Sequence, residues 1–308
     1  MDYKKIIKKR KTRLYILYKL SWLPDNIMLR LQYRLKMGFW PNFKNPKRYT
    51  EIMQLYKMRY RNPIMSQCVD KYEVRNYVKG KGLGQILIPL YGVYKKPEEI
   101  DYNLLPNQFI AKSTAGGGGL NVLIVKDKKT LDETRFKAIV RAWCWKREKT
   151  DIETNGREWA YSGIKQSRII IEELLEEDTN EDKSVEDYKF LCFNGKFACM
   201  WVDRDRRTDH KRGFWDKDFN YLPHVSCEYP PLDKPFLLPS NIKKMAEIAE
   251  KLSEDFPHAR IDLYNVKGKI YFGEITFYFS SGFATFTPDE YDFYLGSLFK
   301  TSFLGGKG

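Results

Sequence analysis

The segment Lys112-Ser113-Thr114-Ala115-Gly116-Gly117-Gly118-Gly119 sets a lysine at the end of an apolar run and four consecutive glycines just after it. Backbone without side chains lets several N–H groups close on an anion, and a neighbouring lysine adds a point charge. That combination is phosphate-binding chemistry. It is not a Walker A motif, because no lysine follows the glycines, and it is not GxGxxG. A flexible hairpin turn is the plain alternative. Each glycine, however, costs about 0.5–1 kcal/mol against alanine in regular structure, and a simple turn would use one or two.

A second constellation lies near the C-terminal end. Arg260–Tyr264 and Lys269–Thr276 read as a hairpin, and alternation puts Arg260 and Asp262 on one face, with Phe272, Glu274 and Thr276 likewise sharing a face. A three-residue turn at Val266–Gly268 predicts Asp262 opposite Phe272 and diagonal to Glu274, about 7–8 Å apart at the backbone. Two carboxylates at that reach suit a hard cation such as Mg²⁺, which takes one or two carboxylates plus phosphate oxygens and water. Arg260 would offset charge growing on a phosphoryl group in transfer. Ile261, Leu263, Ile275 and Phe277 mark the opposite face as buried. Between the two constellations, Ile169–Leu175 runs into Glu172-Glu173. This segment is either a plain core strand or a hinge whose backbone could meet adenine.

The elements that must position these residues follow from periodicity and turn chemistry. Asp70–Lys79 reads as a helix start with an acid at the N-cap. Gln85–Val93 is a short strand that Pro89 confines to an edge or a bulge. Asn107–Lys112 and Asn121–Lys126 are strands flanking the glycines. Arg168–Leu175 is a further strand. Asp187–Cys192 and Lys196–Asp203 form a hairpin turning at Asn194-Gly195. Residues 205–240 read as a proline-bearing loop. Ile242, Met245, Ile248, Ala249, Leu252 and Phe256 recur at helical spacing.

Composition bounds the class. The 308 residues are 43% apolar and 15% aromatic, enough for a large core and about two domain units. The net charge of +14 is confined to residues 1–62, which hold 17 lysines and arginines against three acids; the remainder carries 37 of each sign. Nucleic-acid binding is therefore disfavoured, and no recognition signature supports it. The basic segment, with Leu14, Tyr15, Ile16, Tyr18 and Trp22, reads equally well as a helix packed on the body or, through residues 1–40, as a contact for an anionic membrane surface. Five scattered cysteines without a CxxC pair fit reduced thiols in a cytosolic protein. No run of eighteen apolar residues and no signal-peptide pattern is present, so the expected place is the cytoplasm, or peripherally the inner face of the membrane.

The blocks Asp70-Lys71, AKSTAGGGGLNV, IIIEELL, DYKFLCFNGK (Asp187–Lys196) and RIDLYNVKGKIYFGEITFYFSSG (Arg260–Gly282), in that order, resemble the TupA-like branch of ATP-grasp proteins over about residues 45–298. The chain is similar at longer range to D-alanine–D-alanine ligase. The resemblance implies an α+β ATP-grasp fold: two α+β lobes clasping ATP, with a basic helical N-terminal extension. It divides the chain into 1–62, 63–175 (with the glycine loop) and 176–308 (with the metal hairpin). It implies that Lys71 and Lys112 contact ATP phosphates under Gly116–Gly119. Glu172 and Leu175 would meet adenine, and Asp187 the ribose, with Lys189 also reaching phosphate. Asp262 and Glu274 would hold magnesium, with Thr276 in place of the usual asparagine. Arg204, Arg206, Arg207, His210, Lys211 and Arg212 follow a strand end and could grip an anionic substrate; a solvated loop explains them nearly as well. The implied activity is ATP-dependent joining of a carboxylate to an amine through an acyl phosphate, in surface polysaccharide or teichuronopeptide synthesis. The alternative is a glycosyltransferase, for which Asp203-Arg204-Asp205 supplies a DxD spacing.

Overall fold

The computed structural model describes residues 10–116, 121–146, 157–176, 185–204 and 209–304. Gly117, Gly118, Gly119, Arg206 and Arg207 lie outside these residues.

Two antiparallel sheets organise the chain. The first runs β1-β6-β2-β3, with β1 at Leu90–Tyr94, β2 at Phe109–Ser113, β3 at Val122–Val125 and β6 at Ile169–Glu172. A two-residue ribbon, β4 (Trp145–Lys146) with β5 (Gln166–Ser167), lies between β3 and β6 in the chain. β6 is buried at every position because both its edges are paired and its isoleucines fill both faces. β1 starts only after Pro89 and is the outer strand, as a residue without an N–H requires. This sheet has its own apolar cluster, with Phe109 and Ile171 meeting Phe136 and Val140 of the helix α6 (Glu133–Arg141).

The second sheet runs β12-β11-β7-β8-β9, where β7 is Asp187–Phe193, β8 Lys196–Arg204, β9 Lys211–Asp216, β11 His258–Val266 and β12 Lys269–Thr276. A small ribbon joins β10 (Ser226–Cys227) to β13 (Phe286–Thr287). Asn194 and Gly195, both with positive φ, close the β7–β8 hairpin. That backbone region suits asparagine and glycine, hence the two-residue turn. The helix α8 (Ile242–Ser253) lays Met245, Ile248, Ala249 and Leu252 across β7, β8 and β11. Two α+β lobes with separate cores result, in line with the expected fold class.

Several helices precede the first sheet, among them α1 (Arg10–Lys19), α2 (Asp25–Met37), α3 (Tyr49–Arg59), α4 (Pro63–Val69) and α5 (Val74–Gly80), and a short α7 (Trp159–Ser162) lies between β4 and β5. α3 is buried at nine positions and carries Tyr49 and Tyr56 into the rings around His258. It packs beside α9 (Glu290–Leu298), and Asp292 of α9 accepts from the Thr50 N–H at 3.0 Å. Among the described residues, no helix is long and apolar enough to cross a membrane.

Two sequence expectations are corrected here. Residues 205–240 are not loop throughout, because Lys211–Asp216 forms the strand β9 at the edge of the larger sheet. The β11–β12 turn has two residues, Lys267 and Gly268, both with positive φ, rather than three.

Candidate active site

The register of the terminal hairpin decides the site. A bulge at Gly273 breaks the pairing between Asp262/Glu274 and Leu263/Phe272, so Asp262 stands directly opposite Glu274 and not diagonal to it. Only a glycine fits at the bulge: a Cβ there would lie 2.9 Å from the Asp262 carbonyl oxygen. On its other side Asp262 pairs with Lys189 of β7, and Lys189 pairs with Trp201 of β8. Glu274, Asp262 and Lys189 thus form one row across three strands.

Arg260 ties that row together. Its Nε and Nη2 donate to the two Asp262 oxygens at 2.6 Å each, and Nη2 also donates to Glu274 and to Thr276 Oγ1 at 3.0 Å. Thr276 Oγ1 in turn donates to Glu274 at 2.9 Å. Burial opposes a charged guanidinium, but Asp262 and Glu274 outweigh it and raise Arg260 beyond its usual range. Burial pushes Asp262 up, to about 7, with Arg260 pulling the other way. The two-pronged contact between Arg260 and Asp262 is the geometry of an ionised pair. For Glu274 burial is outweighed by Lys71 and Arg260, which hold it below the ordinary carboxylate range.

Lys189 sits among three carboxylates, bridged to Asp187, 3.5 Å from Asp203 and 4.0 Å from Asp262. Asp203 also accepts from Arg212 Nε at 2.6 Å and lies 3.1 Å from His210 Nε2. The His210 ring is stacked on Tyr229, with centroids 3.6 Å apart.

The facing lobe brings its own charges. Lys112 donates to Glu172 at 3.0 Å, and Arg75 of α5 donates to the same carboxylate at 2.8 Å. Lys71 donates to the Gly116 carbonyl, while its backbone N–H reaches Thr114 O at 2.9 Å. Burial lowers Lys71, with Glu274 opposing that shift.

Two adjoining cavities separate the lobes. One, about 510 Å³, takes in Lys71, Lys112, Glu172, Asp187, Lys189, Asp262 and Glu274, with Leu87, Ile88, Ile110 and Val122 against Tyr264 and Phe272 at an apolar end. The other, about 500 Å³, is lined by Cys68, Val74, Ala115, Asn121, Glu158, Tyr161, Thr276, Tyr278 and Ser281. Lys71, Gly116, Arg260, Gly273, Glu274 and Ser280 border both.

The structure therefore gathers Lys71, Lys112, Gly116, Glu172, Asp187, Lys189, Arg260, Asp262, Glu274 and Thr276 around one cleft. Leu175 lines neither cavity. Arg204 also lines neither: it is bridged to Glu186 and lies 4.3 Å over the Phe236 ring, which makes it a poor candidate for gripping substrate. Sequence reasoning missed Arg75; His210 and Arg212, which it read only as members of a basic run able to grip an anionic substrate, line the first cavity. Nothing local marks Arg75, whereas the density of charge in Asp203–Arg212 was visible without its direction.

A family model described as TupA-like ATPgrasp matches residues 51–300. The chain belongs to the TupA-like ATP-grasp family. No curated protein matches. Among solved structures, this TupA-like chain is similar to a D-alanine–D-alanine ligase from Bacillus anthracis, at 18% identity and a TM-score of 0.43, covering 69% of this chain and 58% of that one. The same ligase complexed with ATP matches at 16% identity and a TM-score of 0.39, covering 69% and 55%. A phosphoribosylamine–glycine ligase from Thermotoga maritima matches at 15% identity and a TM-score of 0.42, covering 69% and 48%. The chain spans less than two thirds of the length of each, and the family match alone carries the assignment.

The residues present fit a divalent cation. Among the described residues no three His, Cys, Asp or Glu side chains converge on one point. The donor set is nevertheless hard oxygen throughout, and the Arg260 guanidinium already occupies the position between Asp262, Glu274 and Thr276 as a cation of the protein's own. A magnesium ion would sit beside Arg260, on carboxylate lone pairs the guanidinium does not use, and would complete its shell from phosphate oxygens and water.

Proposed function

We propose that this TupA-like ATP-grasp protein is an ATP-dependent ligase that phosphorylates a carboxylate and passes the acyl group to an amine. One observation carries the reading: two cavities of similar size meet at Lys71, Arg260 and Glu274, so two bound substrates would touch only at the charged junction.

The first cavity suits ATP. Its apolar end can take a base between Ile110 and Phe272, and its polar end brings Lys71, Lys112 and Lys189 to a polyphosphate. Asp262 and Glu274, with Thr276, would hold Mg²⁺, which neutralises charge on the phosphate oxygens. The second cavity then takes the carboxylate. Lys71 and Arg260 face both chambers, so they can orient an attacking carboxylate oxygen towards the terminal phosphorus and stabilise the oxygens of the group in flight. The phosphorus–oxygen bond to ADP breaks as the new one to the carboxylate forms. Attack of an amine on the acyl phosphate then releases phosphate and yields the amide. The family resemblance supports a saccharide or amino acid as substrate, and a product on a surface polysaccharide or its precursor.

A glycosyltransferase is less well supported. Its DxD spacing is a short pattern that occurs by chance, whereas the family match over residues 51–300 is to ATP-grasp proteins.

Thermal denaturation with nucleotides tests the proposal. Mg-ATP at a hundred times its dissociation constant should stabilise the protein by about 2.7 kcal/mol, and Glu274→Ala should lose most of that. Stabilisation by a sugar nucleotide and none by Mg-ATP would reverse the assignment.

A further inference from the structure

Among the described residues, the N-terminal helices leave apolar surface exposed and without a partner. α2 turns Leu29 and Tyr33 into the body, both with zero exposure. Every fourth residue advances about 40° around a helix, so Ile27, Leu31 and Leu35 share another stripe, and they are 47%, 41% and 55% exposed. Trp22, just before the helix, is 75% exposed, and Trp40, just after it, 59%. A stripe of this kind bounded by two indoles exceeds scattered surface apolarity.

The charge around it selects the occupant. All of the protein's net charge lies in residues 1–62. Arg34 is exposed on α2 beside the stripe and Lys19 is exposed on α1, and the acid of α2, Asp25, is bridged to Arg157. A second copy of this chain would bring the same positive charge against itself. An anionic bilayer complements it: aliphatic side chains enter the acyl boundary, indoles sit at the headgroup level, and bases near the surface are drawn to the anionic headgroups.

We infer that the α2 face, with Trp22 and Trp40, docks the protein on an anionic lipid surface. The docked face is tied to the candidate active site. Arg157 donates to the Leu23 carbonyl at 2.8 Å and bridges Asp25, while the next residue, Glu158, lines the second cavity. Docking would therefore fix where that cavity sits relative to the lipid.

Cosedimentation of the full chain with vesicles tests this. One set is phosphatidylcholine alone and the other is two parts phosphatidylcholine to one part phosphatidylglycerol. Binding should favour the anionic set about tenfold or more, weaken as salt is added, and fall about tenfold in Leu31→Glu/Leu35→Glu. Both positions are exposed, so the variant should melt as the wild type does and keep its response to Mg-ATP, which separates this inference from the ligase reading. Equal binding to both vesicle sets, or unchanged binding by the variant, overturns it. So does a dimer in solution that Leu31→Glu/Leu35→Glu dissociates.

Discussion

Asp262 faces Glu274 directly across β11 and β12, and one guanidinium, that of Arg260, donates to both. The pair would make one cation site only while both acids are present, because neither alone supplies the charge that balances Arg260 and a metal together. Asp262→Asn and Glu274→Ala should each lower ATP turnover by about a hundredfold or more, measured as ADP release with both co-substrates. Wild-type turnover in either variant would remove the metal role from this hairpin.

Gly273 holds that pairing. With a Cβ 2.9 Å from the Asp262 carbonyl oxygen, Gly273→Ala must move the bulge or the strand. We expect a loss of about 1–3 kcal/mol in denaturant unfolding and weaker Mg-ATP binding in the fraction that folds. Gly268→Ala strains a turn residue with φ of +83° but meets no atom within 4 Å, so it should leave Mg-ATP binding intact. Equal binding defects in the two variants would show that strain in the hairpin, and not register, is what matters.

Lys112 and Arg75 share Glu172 and both line the first cavity, but Arg75 is also tied to the Ile88 carbonyl. Lys112→Met should raise the KM for ATP about tenfold or more and leave the melting temperature nearly unchanged, since Arg75 still neutralises Glu172. Arg75→Met should instead cost stability, because the Ile88 carbonyl that Arg75 bonds at 2.9 Å is left open too. Titrating ATP against both variants distinguishes a phosphate contact from a structural one.

His258 gives a pH dependence. Burial drives its pKa down from 6.5 to about 3, with the Cys192 carbonyl at 3.2 Å opposing the shift. The unfolded chain therefore binds a proton near pH 6.5 that the folded chain refuses. Stability from this group is complete above pH 6.5 and is lost as pH falls towards 3, at up to about 1.4 kcal/mol per unit. Comparing unfolding free energies at neutral and mildly acid pH, His258→Gln should show the shallower fall. An identical slope in that variant would place the acid sensitivity in other groups.

Much of the site was legible because its pieces are local. A lysine next to four glycines, and acids spaced by two in a strand, announce their chemistry within a dozen residues. The turn at Asn194-Gly195 and the helix after Asn241 were equally plain, since turn residues and apolar spacing act over one element. β9 escaped because six residues with one apolar pair, among prolines and charges, have no period of their own; pairing with β8 creates the strand. The Arg75 contact escaped for a related reason, as it joins residues 97 positions apart.

The sequence by itself determined which groups are available: where the glycine run and its lysine lie, which acids could hold a cation, which strands alternate, and that the positive charge belongs to the first 62 residues. The tertiary structure decided which of them meet. A single bulge turned a diagonal pair of acids into a facing pair, the pairing of β2 with β6 set Lys112 against Glu172, and the closing of two lobes set Lys71 near Glu274. Side-chain alternation and propensity act between neighbours in the chain. Register, and the balance of buried charge, depend on what the rest of the fold presses against them.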